Sequence, residues 1–505
     1  MNTIDINLIL WLVFFCWHYC LFCGFISDDH AVISERKDII PDSERVDRGE
    51  GFWLKRFNDG VIMFYQNAIF KKLGMKYFAF PWHLFSLLMH ILNTYLLYLF
   101  LTPIIGGNVA LYACAFWAVN PMHNQCVVWI SGRPYLWGTF LALIGMICYQ
   151  DPITFFLFYA LAVITNVSIV FSPIILYLAY PEAWQTKLYL IGMLVFAFPF
   201  IGWKFHQRFK GLVLDRDNFR FKKRKINTFA RMTAYYIFTL FFPVRMGWYH
   251  QAGFRYNERW EKFNYLTFLG YVILGLCLFY FKFPGWWFIL GLIPVSNIYA
   301  TNSFLQDRYL YFCSIGVAAI ISPVFIHYPE LFYIAMTFYI TRSYMYSRHL
   351  KDDEKLYREN WRNHPKSDYA VNNLSYFLIQ QGRFDEARVV IEHGLNIDRS
   401  NKMLWYNLGI TFVAQGHLNN EEGKLKFIRS LDCFKTCLQL EPRWSKPYED
   451  LKRITKYLVE NKVLSLSSES IPNSVMIELP NVLGINQDGN TSDKPVDQTP
   501  KSLPS

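Results

Sequence analysis

Two adjacent carboxylates and an imidazole, Ser27-Asp28-Asp29-His30, stand directly after an apolar run that ends at Phe25. A charge beside a bilayer is expensive to dehydrate, so ionisable groups at that depth invite a functional expectation. Asp28, Asp29 and His30 could ligate a divalent metal, although their spacing is not diagnostic of one. The two aspartates could equally cap a helix, where Asp is favoured. His123 and Arg133 lie in a short polar connection further on. The planar guanidinium of Arg133 suits a phosphate, to which it can donate two parallel hydrogen bonds. Its bland alternative is snorkelling to lipid headgroups. Asp307-Arg308 is either an internal ion pair bracing two spans or part of a site. Tyr309 and Tyr311 suit the membrane interface under either reading. His83 and His90 share a helical face at the level of the carboxylates. One such histidine is ordinarily a hydrogen-bonded packing residue; two together suggest support for a site.

These groups need a membrane frame to hold them. The chain has 505 residues, 53% hydrophobic and only 18% charged, and the average hides a division. Up to residue 346 apolar runs alternate with short polar connections, and from His349 onward the chain is polar. A run of about 20 apolar residues crosses the hydrocarbon as a helix, and about eleven such runs are present. They lie near residues 8–25, 80–101, 109–119, 135–148, 153–180, 188–205, 229–246, 265–283, 286–298, 310–326 and 331–346. Residues 153–180 are long for one span and short for two, with Asn166 and Pro173 inside. Counted as one, they put the basic loop Arg208, Lys210, Arg216, Arg220, Lys222, Lys223, Arg224 and Lys225 on the cytoplasmic side. In a soluble protein of net charge +11 such a cluster would suggest nucleic acid. Between spans it suggests anionic lipid, and no nucleic-acid partner is expected.

The same count gathers the Asp28 loop, the His123–Arg133 connection, Trp248-Tyr249-His250 and Asp307-Arg308 on the opposite face, with the C-terminal domain. The first outer loop runs over 27–77, and residues 61–73 have the period of an amphipathic surface helix. The N-terminus lacks a basic region and a small-residue cleavage site, so it reads as a retained anchor. The ten cysteines fall mostly inside spans, which predicts packing and not a disulfide framework.

After residue 348 a period of 34 emerges. Asn373-Leu374 recurs as Asn407-Leu408, and Gln381-Gly382 as Gln415-Gly416. The second helices are offset by 43, which a nine-residue insertion around 419–426 accounts for. This is the tetratricopeptide pattern, in which helix pairs stack because neither buries its apolar face alone. The repeats are expected over 349–462, with a capping helix near 448–458 and a groove for a protein partner. A disordered tail rich in Ser, Asn and Pro is expected over 463–505.

Three segments together resemble a family. Phe25-Ile26-Ser27-Asp28-Asp29-His30-Ala31-Val32-Ile33 resembles the first-loop motif of the transmembrane-and-tetratricopeptide-repeat O-mannosyltransferases and their bacterial relatives. Asn120-Pro121-Met122-His123-Asn124-Gln125-Cys126-Val127 with Gly132-Arg133 resembles the family's second segment. Gln306-Asp307-Arg308-Tyr309-Leu310-Tyr311 with Ser314-Ile315-Gly316 resembles its third. The order matches over most of residues 8–460. Departures are Asn120 for a histidine, Gln125 for a glutamate, Asn166-Val167 for a Lys-Glu pair and Arg56-Phe57 for Arg-Pro.

The resemblance implies an all-α fold: a GT-C glycosyltransferase bundle over 1–348, followed by a tetratricopeptide α-solenoid. It implies a polyprenyl- or dolichyl-phosphate-linked sugar as donor, mannose among the candidates. The acceptor would be a protein Ser/Thr hydroxyl on the non-cytoplasmic face of the endoplasmic reticulum or bacterial inner membrane. Asp28 would be general base with Asp29 in support, and Arg308, Arg133 and His123 would face the donor phosphate. His30, His83, Asp307 and Tyr309 would complete the surroundings. No cofactor is required by this reading; a divalent metal stays open. The alternatives are a non-catalytic membrane-anchored scaffold recruiting proteins through its repeats, and a transporter. The transporter fits less well, because few ionisable groups lie at mid-span depth.

Overall fold

A computed structural model describes residues 5–30, 61–203, 226–248, 263–295, 305–442 and 444–463. The stretch after His30, the Arg56-Phe57 pair, the basic loop over 208–225, Tyr249-His250 and the expected tail beyond 463 lie outside the described residues. Every regular element among the described residues is helical. The chain divides into two compact units, Met1–Ala370 and Val371–Ser505. The division drawn from sequence, at 348, precedes helix Asp353–Asn363, which belongs to the first unit.

The first unit runs through α1 (Ile6–Trp17), α2 (Val61–Lys72), α3 (Phe80–Ile105), α4 (Gly107–Ala118), α5 (Asn124–Val127), α6 (Arg133–Ile147), α7 (Pro152–Thr165) and α8 (Ser172–Ala179). It continues with α9 (Trp184–Gly192), α10 (Ile226–Phe241), α11 (Tyr265–Gly275), α12 (Lys282–Leu292), α13 (Leu310–His327), α14 (Pro329–His349) and α15 (Asp353–Asn363).

Among the described residues, three helical stretches are long and apolar enough to cross a membrane: Phe80–Ile105, Trp184–Trp203 and Asp307–His327. A fourth is possible if Pro121–Val127 and Ile130–Ile147, bent by 95°, make one span. The other apolar helices are shorter, and the stretch 153–180 is broken. Asn166 takes an extended backbone there, and its side chain accepts from the Ser168 amide, ending α7 and capping the next turn.

The helices are apolar on more than one face, as expected where the outside is lipid. On α3, Trp82, Leu87, Leu97 and Leu101 are fully buried, while Leu88, Leu92, Tyr95 and Leu99 form an exposed stripe at helical spacing. Inside, large rings are fixed by indole donors. Trp17 donates to the Ala118 carbonyl at 2.8 Å, Trp117 to that of Tyr311 at 2.9 Å and Trp287 to that of Phe312 at 3.1 Å. The first two join elements far apart in sequence, the third joins successive helices, and each satisfies a polar group that burial would otherwise penalise.

The second unit takes in most of α16 (Asp368–Gln380), then α17 (Phe384–Ile397), α18 (Lys402–Gln415), α19 (Glu421–Leu440) and α20 (Ser445–Glu460). Helix α17 packs on α18, α18 on α19, and α19 on α20. Gly382, at φ 72°, supplies the left-handed residue that turns α16 into α17. Asn401 and Asn420 cap α18 and α19. The inserted residues lengthen α19 to 20 residues, against 14 in α17.

Candidate functional site

Helix α1 ends in a tighter turn over His18–Phe22, and the chain then reaches the two carboxylates. They face different environments. Asp28 is exposed, and no described residue hydrogen-bonds its carboxylate. Asp29 is completely buried. Its Oδ1 accepts from the Ser131 amide at 2.8 Å and the Ser131 hydroxyl at 2.6 Å, and its Oδ2 from the Ile26 amide at 3.3 Å. Burial pushes its pKa up from 3.8 to about 6, while these hydrogen bonds and the nearby Arg133 charge pull it down. Ser27 adopts φ 53°, a left-handed conformation uncommon for a residue with a side chain. Its amide donates to Asp353 Oδ1 at 2.7 Å, and His30 Nε2 lies 2.9 Å from Asp353 Oδ2.

Ser131 belongs to the turn Ile130–Gly132 that opens α6, so the same turn that holds Asp29 also delivers Arg133. Arg133 is almost fully buried. Its Nε donates to the Ile130 carbonyl at 2.7 Å, its Nη2 donates to Asn67 Oδ1 at 2.8 Å, and the guanidinium stacks 4.7 Å from the Trp82 ring centre. Among the described residues its Nη1 has no hydrogen-bond partner. Lipid-headgroup snorkelling is not its geometry, because α2 covers it.

Gly132 ties this group to the next. A Cβ there would lie 1.9 Å from the Gln125 carbonyl oxygen, so the backbones touch. Gln125 Oε1 in turn accepts from the Arg308 amide at 3.3 Å and from Arg308 Nη1 at 3.5 Å. Arg308 Nη1 also donates to Gln306 Oε1 at 3.0 Å. The guanidinium lies 5.3 Å from the Trp129 ring centre and 5.6 Å from that of Tyr309. The three family-like segments thus meet through one line of contacts: Asp29, Ser131, Gly132, Gln125, Arg308. Asp307 and Tyr309 are buried beside it.

His123 and His90 sit apart from this line of contacts. His123 is buried with its Nε2 3.2 Å from Ser314 Oγ, among the rings of Trp117, Tyr311 and His90. His90 is held by the Tyr311 hydroxyl at 2.7 Å and the Ala118 carbonyl at 2.8 Å, which is the packing role expected by default. His83 Nε2 lies 3.3 Å from the Gly24 carbonyl. Among the described residues no three His, Cys, Asp or Glu side chains converge as a metal site would need. Asp28, Asp29 and His30 instead diverge, to solvent, to Ser131 and to Asp353.

Ser131, Asn67, Trp82 and Asp353 were not among the residues singled out from sequence. Ser131 adjoins the Gly132-Arg133 segment and could have been included on that ground. Asp353 carries no local signal, because Asp352-Asp353-Glu354 reads simply as the start of a helix.

Over 160 residues, 30% of this chain, the sequence is 24% identical to Protein O-mannosyl-transferase TMTC3 of Homo sapiens. The match covers 17% of that relative's length, so the likeness is distant and partial. No family model matches the chain, and no solved structure matches it.

Proposed function

We propose that the chain is a membrane glycosyltransferase of the GT-C kind. It would move a sugar, mannose among the candidates, from a polyprenyl- or dolichyl-phosphate donor to a protein Ser/Thr hydroxyl. The observation that carries the reading is the line of contacts from Asp29 through Ser131, Gly132 and Gln125 to Arg308. Separate sequence segments that matter only for packing have no need to meet around two arginines and a carboxylate pair. The partial likeness to an O-mannosyl-transferase supports the same class.

In this reading Asp28, exposed and unencumbered, takes the proton of the acceptor hydroxyl as its oxygen attacks the anomeric carbon. The bond between that carbon and the phosphate oxygen breaks, and the lipid phosphate leaves with the electron pair. One displacement inverts the anomeric configuration. Arg308 stabilises the negative charge on the departing phosphate, and the buried Arg133 adds its positive charge from beneath α2 without touching the lipid. Asp29 fixes the turn that carries the base. His123 acts more remotely, through the packing around Tyr311 and Ser314.

The full architecture we propose is an eleven-span bundle, in which α7 and α8 together make one span, followed by a tetratricopeptide solenoid that presents the acceptor. The reacting face and the repeats lie on the non-cytoplasmic side. The test is transfer from defined polyprenyl-phosphate sugars to peptide acceptors in membranes. Asp28→Asn should lower transfer by about 10²- to 10⁴-fold, the usual contribution of a general base. Full transfer by that variant would rule out the assignment.

A further inference from the structure

We infer that Asp353, at the start of α15, is a positioning residue for transfer, holding the turn that aims Asp28; this rests on the reading of Asp28 as base. One carboxylate uses both oxygens on residues that bracket the pair. Oδ1 accepts from the Ser27 amide at 2.7 Å, and Oδ2 lies 2.9 Å from His30 Nε2. The Gly24 amide adds a bond to the Lys351 carbonyl at 2.9 Å, so the whole turn is seated on the approach to α15.

The turn needs a holder. Ser27 at φ 53° is in a region that costs a residue with a Cβ roughly 1 kcal/mol or more. Asp29 is anchored at Ser131, but the Asp28 side chain bonds to no described residue, and the backbone on either side determines where it points. Helix capping does not account for Asp353, because Asp352 caps α15 by accepting from the Lys355 amide at 2.9 Å. Nor can α15 swing freely. Near its far end Asn360 Oδ1 accepts from the Trp248 amide at 2.9 Å, and Asn363 donates to the Met246 carbonyl at 2.8 Å.

Of the two contacts, the Ser27 bond should matter more. The His30 pair is partly open to solvent, with side chains 40% and 19% exposed, and such pairs contribute little. Asn at 353 can still accept from Ser27, whereas Glu displaces the carboxylate by a methylene. The order of variants therefore separates geometry from charge.

The measurement is kcat and KM for the lipid-linked donor with the full chain in membranes. Asp353→Ala should lower kcat about 10- to 100-fold, as expected for a misplaced reacting group, with KM within about threefold. Asp353→Asn should stay within a few-fold of wild type, and Asp353→Glu should fall below it. Ser27→Gly should restore part of the loss in Asp353→Ala, since glycine takes positive φ without strain. In the Asp28→Asn background Asp353→Ala should cost little more, because both act through one group.

Unchanged kcat in Asp353→Ala, a loss confined to KM, or a full additional loss in the Asp28→Asn background would each overturn the inference. Should Asp353→Ala not fold, the Asn and Glu variants decide it, and Glu more active than Asn overturns it. Full transfer by Asp28→Asn would instead remove the reading on which the inference rests.

Discussion

Asp29 is a carboxyl shut away from water and held by Ser131 and the Ile26 amide. Its folded pKa, about 6, stands above the value of 3.8 expected for an unfolded aspartate, chiefly through burial. A raised acid binds its proton more tightly when folded, so stability falls as pH rises from about 4 to 6 and stays lower above. The span corresponds to about 3 kcal/mol. Wild type should therefore gain stability relative to Asp29→Asn between pH 7.5 and pH 4.5, and an unchanged difference in unfolding midpoint would count against the burial argument. Ser131→Ala removes the 2.6 Å bond to that carboxylate and should cost about 1.5–3 kcal/mol at pH 7.5 and less at pH 5. At this scale the sequence exposes the carboxylates and arginines themselves. It does not expose which aspartate is buried, because both precede the same histidine and both suit a helix cap. It also hides Asp353, which lies 323 residues from His30.

Elements determine how far a local change spreads. Helix α2 reaches the site through Asn67, which accepts from Arg133, and through Gln66, which accepts from the Trp137 indole at 3.1 Å. Lys at 133 cannot reproduce the donor pair at Nε and Nη2 or stack on Trp82 in the same way. Arg133→Lys should loosen α2, seen as faster amide exchange over residues 61–72, and unaltered exchange there would contradict the latch. Gly132→Ala drives a Cβ into the Gln125 carbonyl. It should destabilise by about 1–3 kcal/mol and displace Gln125 from Arg308. Transfer lost in Gly132→Ala with Arg133 and Arg308 intact would mark the contact, and full transfer would deny it. The apolar pattern makes α2 and α3 readable beforehand. The break of 153–180 is less so, since hydropathy registers apolar length and not the extended backbone at Asn166.

For the whole molecule, the two units have separate apolar cores, the first built around Trp17, Trp117 and Trp287, the second around Phe427, Phe434 and Leu451. Separate cores predict separate cooperative transitions. Asn407 is buried in the second unit, donating to Asn372 Oδ1 at 3.0 Å and Ser375 Oγ at 3.1 Å. Asn407→Ala should lower that transition by about 1–3 kcal/mol and leave the other where it was; a joint shift would mean one cooperative system. The recurrence of Asn373-Leu374 as Asn407-Leu408 is visible in sequence, and both pairs fall inside helices of the second unit. The span count is not, because short apolar helices can be paired in more than one way. A practical handle on all these measurements is already in the chain. Its ten cysteines are free thiols, all buried except the half-exposed Cys148, and they occur in both units. Shielded thiols react slowly until the fold opens. A thiol-reactive fluorophore should therefore light up as each unit melts, an intrinsic unfolding gauge needing no added label site, with Cys148 supplying the early baseline.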